Sequence, residues 1–79
     1  MTGLSPQQLL IVELAANGQT DQQIASLLGI SIHTVRDYWR YRIRPALGAI
    51  DRTHAVALAI ATGLVPGDRV HTSKGAVVA

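Results

Sequence analysis

The sequence predicts an all-α domain of four short helices followed by a flexible C-terminal tail. Three observations lead there. Apolar residues recur at helical spacing, and no strand-like alternation or internal repeat precedes residue 66. Each helical segment begins at a Ser, Thr or Asp suited to capping. Each ends at a Gly, or in one case at a Pro. The division expected is a domain over 1–65 and a tail over 66–79.

The first helix is expected near 6–16. Ser5 can cap its first turn, and Pro6 suits the first helical position, where its missing N–H had no partner anyway. Leu9, Val12 and Ala16 form its apolar stripe, widened by Leu10 and Leu14, and Asn17-Gly18 stops it. The second runs near 21–28, capped by Thr20 or Asp21. Its apolar face is Ile24, Leu27 and Leu28, and Ala25 is small enough to sit where two helices touch. Gly29 ends it, Ile30-Ser31 turns the chain, and Ser31 caps a third helix over about 32–44. Pro45 should stop or kink that helix. Residues 47–50 connect to a fourth helix near 52–63, capped by Asp51 and ended by Gly63. Its "AVALAIA" run is apolar on every side, so one face should pack on the other helices while another awaits a partner.

Composition narrows the function classes. A chain of 79 residues makes one domain at most, and at this size only roughly 60–65% of the unfolded surface is buried. The absence of cysteine excludes a disulfide framework and a thiolate metal site. No apolar run approaches the ~20 residues of a membrane span, and the N-terminus lacks a signal-peptide layout. A cytoplasmic, nucleoid-associated location with no membrane contact is therefore expected. The net charge of +2 is unevenly spread. Residues 1–30 carry Glu13 and Asp21 and no Lys or Arg, whereas 31–52 carry five Arg against Asp37 and Asp51. A basic segment on a mildly acidic body is the electrostatic outline of a nucleic-acid binder, or else a solvated helix face. Arg outnumbers Lys six to one, which hints at a bacterial or phage genome rich in GC.

Two short helices joined by a Gly turn, the second starting at Ser31, form a helix-turn-helix signature. Ala25 permits a close crossing, Gly29 the sharp turn, and Ile24, Leu28, Ile30 and Val35 pin the pair. With "LSP" at 4–6, "LAANGQTDQQIASLLGIS" at 14–31, "HTVR" at 33–36, "LG" at 47–48 and "DRTHAVALA" at 51–59, the chain resembles the LuxR-type (GerE-type) helix-turn-helix family over about residues 4–65. Sigma-factor region 4 is the nearest other pattern, and "DRTHAVALA" favours the LuxR type. The resemblance implies a four-helix DNA-binding domain whose third helix enters the major groove and whose fourth commonly supports a dimer. Three departures stand out. Gln8 replaces a usual Glu, so a family salt bridge is missing; Tyr38 replaces a common His; and the segment from Thr34 to "LG" is one residue longer, with Pro45 where the family helix continues.

Helical geometry sorts the third helix into faces. Advancing about 100° per residue from Val35 puts Trp39, Ile43, Tyr38 and Arg42 on the core side. Trp39 is then a core residue, and Tyr38 packs with its hydroxyl at the rim. His33, Arg36, Asp37, Arg40, Tyr41 and Arg44 fall on the outward arc. Arg36 and Arg40, one turn apart, can reach bases or phosphates. Asp37 can accept from cytosine N4 or orient a neighbouring Arg. The resemblance places Arg36, Asp37 and Arg40 among base-contacting positions, with His33 beside them. It places Thr20, Gln22, Ser31 and Thr34 at phosphate-contacting positions, and Ser31 and Thr34 can serve equally as caps. Arg44 and Tyr41 are further phosphate candidates, Tyr41 alternatively a partner contact. Arg42, directed at the core, needs either to snorkel, to pair with Glu13, or to be rotated outward by the extra residue. His33 and Asp37 lack a third metal ligand nearby, and no catalytic arrangement or phosphate-cradling Gly loop is present. Neither an enzyme nor a cofactor is expected.

The expected function is that of a standalone, sequence-specific double-stranded DNA-binding transcriptional regulator. It would act as a homodimer through Val56 and Ile60 on the fourth helix. The rival expectations are a protein-interaction module that antagonises a larger LuxR-type regulator or contacts RNA polymerase, and a phage accessory DNA-binding protein.

Overall fold

The structure, a computed structural model, describes residues 3–65. Among them the architecture is helical throughout, without strands. Helix α1 is Pro6–Ala16, α2 is Asp21–Leu28, and α4 is Arg52–Ala61. Helix α3 is continuous over three segments: an α-helical Ile32–Tyr38, a π-helical Trp39–Ile43, and a last α-helical turn, Arg44–Leu47. The tail expected over 66–79 lies outside the described residues.

Local chemistry sets the helix starts. Ser5 caps α1 in a capping box: its Oγ accepts from Gln8 N at 3.1 Å, and Gln8 Oε1 accepts from Ser5 N at 3.0 Å. Thr20, rather than Asp21, caps α2, with Gln23 closing the same reciprocal pair. Ser31 caps α3 by accepting from Thr34 N. Asp51 caps α4 by accepting from His54 N, and His54 Nδ1 accepts from Ile50 N at 3.1 Å. Gly29 closes the turn of the helix-turn-helix at φ +69°, where a side chain would be strained, with Ile30 N reaching back to Ala25 O. Helix α4 ends slightly earlier than expected. Thr62 turns its hydroxyl onto Leu58 O, and the chain folds back so that Val65 is buried and donates to Ala59 O.

The core is contributed by all four helices. Ile11, Val12 and Ala15 of α1 meet Ile24 and Ala25 of α2, Val35, Trp39 and Ile43 of α3, and Ala55 and Ala59 of α4. Two expected faces are corrected. On α1 the buried stripe is Gln8, Ile11, Val12 and Ala15, while Leu10 is exposed. A polar residue occupies an inward position because its amide is satisfied by the Ser5 backbone, and this hid the true face within a run of apolar residues. On α2 only Ile24 and Ala25 are buried, with Leu28 partly so, and Leu27 is 62% exposed. Two helical turns bury only a narrow face.

The third correction concerns Pro45, which neither stops nor visibly breaks α3. Arg44 N donates to Trp39 O, five residues back, so the helix widens by one residue just before the proline. Widening places the extra residue and moves the chain off the geometry in which a proline ring meets the carbonyl four residues earlier. It also turns the downstream residues back by about one residue's rotation, ~100°. Leu47, which regular geometry puts on the outward arc, therefore packs against the core. Arg42, expected on the core side, is exposed. Gly48 at φ +68° then ends the helix, with Ala49 N donating to Arg44 O.

The extra residue and the proline should therefore compensate each other. Deleting exposed Arg42 alone restores a regular helix with an interior proline and should cost about 3 kcal/mol. Adding Pro45→Ala to the deletion should recover most of that loss. Urea unfolding of the parent, the single changes and the double change measures this coupling, and additive effects would contradict it.

Candidate nucleic-acid interface

The outward face of α3 is built from its first two turns. Ser31 begins the helix, and Ser31 Oγ lies 2.9 Å from Thr34 Oγ1, which fixes the first turn. Val35 and Trp39 hold the opposite face in the core. Their burial leaves His33, Arg36, Asp37 and Arg40 exposed. These four expected base-reading residues line one open hollow together with Asp21, Trp39, Arg44 and Arg52. Four arginines against two aspartates give the hollow a local excess of positive charge.

Trp39 anchors this face. It is 4% exposed, and its indole N–H donates to Asp21 Oδ1 at 3.0 Å. A buried indole needs such an acceptor. The same Oδ1 accepts from Arg52 Nε at 3.0 Å, and Arg52 also donates to Gln19 O at 2.8 Å. The guanidinium lies over the Trp39 ring, 5.2 Å from its centroid. Asp21, Trp39 and Arg52 thus tie the starts of α2 and α4 to the middle of α3. Neither Asp21 nor Arg52 was assigned this role by the sequence reading. One signal was present: an arginine in the first turn of a helix opposes the helix dipole, and so calls for a specific partner.

The remaining candidates are more scattered. Arg44 is half-buried; an amino group donates to Ile50 O, while its Nε is buried without a hydrogen-bond partner. Tyr41 is 63% exposed and lies under the Arg40 guanidinium at 5.8 Å. Thr20, Gln22 and Ser31 are exposed and Thr34 half-exposed, with Thr20, Ser31 and Thr34 engaged in capping. Neither Tyr41 nor any of these four lines the hollow. Tyr38 packs partly against the core, and its hydroxyl donates to Gln7 Oε1 at 3.4 Å. On α4, Ala55 and Ala59 face inward, Val56 is half-buried against the core, and Ile60 is 38% exposed. Among the described residues no group of three or more His, Asp or Glu is placed to hold a metal ion. No helix among them is long and apolar enough to cross a membrane.

Comparison with known proteins identifies a family. The family model described as bacterial regulatory proteins, luxR family (GerE), matches residues 2–59. A transcriptional activator protein, BjaR1 of Bradyrhizobium diazoefficiens, is 37% identical over 59 residues, which is 75% of this chain and 24% of the relative. The chain therefore spans about a quarter of the length of that curated relative. No solved structure matches.

Removing the Asp21 carboxylate should loosen three helices together. Asp21→Ala leaves the buried indole N–H without an acceptor and should cost about 2–3 kcal/mol. Asp21→Asn keeps an accepting oxygen and should cost roughly half as much. Thermal unfolding followed by circular dichroism measures both, and equal losses would contradict the hydrogen-bonding role.

Proposed function

Because the chain belongs to the luxR family of bacterial regulatory proteins, a family of DNA-binding transcription regulators, we propose that it binds double-stranded DNA selectively, as a homodimer, with α3 in the major groove. The observation that carries this reading is the gathering of His33, Arg36, Asp37 and Arg40 around one basic hollow on the side of α3 opposite its core contacts. Arg36 and Arg40 are free to fork onto guanine, and Asp37 can accept from cytosine N4. Ser31, Thr34, Thr20 and Gln22 touch phosphates at the margins, and a capping hydroxyl can accept from its own helix while donating outward. Tyr41 adds a phosphate contact. The protein works at the nucleoid, in the cytoplasm.

Dimerisation uses α4. Its buried residues are alanines, which bring it close to the core, and Ile60 remains exposed on the 55–61 run, which is apolar all round. Pairing through Ile60 and Val56 would set two α3 helices one DNA turn apart, about 34 Å, on a pseudo-palindrome.

Gel-shift titration against a genomic fragment library tests the reading. The expected result is a small set of tightly held fragments, whereas weak, sequence-blind binding at moderate salt would overturn it. Arg40→Ala should cost about 1–3 kcal/mol on a selected site and relax its sequence preference. Ile60→Arg should leave the monomer folded and shift the sedimentation equilibrium toward monomer, with lost affinity for two-half-site DNA but not for a single half-site.

A further inference from the structure

Arg44 and Arg52 line the same hollow as the base-reading residues, yet both are anchored beside the connector between α3 and α4. Arg44 donates to the carbonyl of Ile50, and Arg52 stands two residues further on. Each guanidinium is already immobilised. Arg52 is held by Asp21, by Gln19 O and by the face of Trp39, which leaves its second amino group uncommitted. Arg44 is held through one amino group, and its buried Nε–H has no acceptor. That Nε–H is covered by the protein, so an incoming anion meets Arg44 through its amino groups. Asp21 is paired with Arg52, and the four arginines of the hollow outnumber its two aspartates, Asp21 and Asp37, so the net charge still favours an anion.

We infer that Arg44 and Arg52 form a preset seat for one phosphate oxyanion on the connector side of the hollow, beside Arg36, Asp37 and Arg40. Two guanidinium groups offering N–H donors suit the several oxygens of a phosphate. Because both side chains are fixed before binding, little side-chain freedom is lost when the anion arrives. The inference rests on the DNA-binding reading for its natural ligand, a backbone phosphate; inorganic phosphate shares the chemistry. The seat also fixes a register: a phosphate held here sets how far Arg36 and Arg40 reach toward the bases.

The test is nitrogen-edited NMR on the full chain, following the Nε–H signals of Arg36, Arg40, Arg44 and Arg52 and the indole N–H of Trp39. One arm adds inorganic phosphate against chloride at equal ionic strength, and the other adds a duplex carrying a selected site. Saturable movement of the Arg44, Arg52 and Trp39 signals is expected in both arms. If the duplex moves Arg36 and Arg40 but leaves those three in place, the seat is overturned and DNA binding stands. If phosphate moves them and no duplex does, the oxyanion seat stands and the DNA reading falls. Silence in both arms removes both. In a folded Arg52→Gln chain, the slope of log affinity against log salt should fall by about one phosphate contact, equally on selected and scrambled duplexes. An unchanged slope would overturn the role of Arg52.

Discussion

The carboxylate of Asp21 is the constraint on which the arrangement depends. One oxygen accepts from the indole of Trp39 and from the guanidinium of Arg52, at 3.0 Å each. Three helices are joined at that atom. Apolar contact alone would hold them less specifically, because the core is small and α4 contributes only alanines at its most buried positions. Alanine faces slide and rotate against a neighbour at little cost, whereas hydrogen bonds to one oxygen fix direction as well as distance. Trp39 precedes Arg40 and lies one turn from Arg36, so the orientation of the indole sets the aim of the exposed face. A contact at the start of α2 thereby governs side chains near the middle of α3.

Helix α3 divides into two halves with different attachments. Its first half is registered against α2 through Val35 and Trp39. Its last turn is registered against the connector, where Arg44 donates to Ile50 O while Ile50 N donates to His54 Nδ1. The peptide groups of one exposed residue are thus gripped from the end of one helix and the start of the next. The π turn between the halves lets both registers hold along one continuous helix. It turns Leu47 inward and Arg42 outward without disturbing the Arg36–Arg40 face.

What the sequence disclosed follows the range of the interactions involved. Ser5, Thr20, Ser31 and Asp51 act within three residues of themselves, and their capping roles were legible, apart from the choice between Thr20 and Asp21. The Gly29 turn and the outward placement of His33, Arg36, Asp37 and Arg40 followed from local geometry and the family resemblance. The inward face of α1 was hidden because Gln8 is buried through a bond to backbone, which a hydropathy pattern cannot register. The course of α3 past Pro45 was not legible because the widened turn before it, closed by Arg44 N on Trp39 O, moves away the carbonyl that a proline ring meets in a regular helix. The partnership of Asp21 with Arg52 spans 31 residues, and only the odd placement of an arginine at a helix start hinted at it.

The π turn bears on how relatives of this chain are compared. The added residue belongs to no single position: it is spread over Trp39–Ile43, where the helix carries one more residue per turn. A gap introduced into an alignment at Pro45 or in the connector would pair Arg42, Ile43 and Arg44 with the wrong residues of a shorter relative. Structural equivalence is kept when the gap falls inside the widened turn, so that Trp39 and Leu47 both match inward-facing positions. The insertion then counts as a local change of pitch rather than a longer loop, and length differences in this helix need not mark any difference in the surface presented by its first two turns.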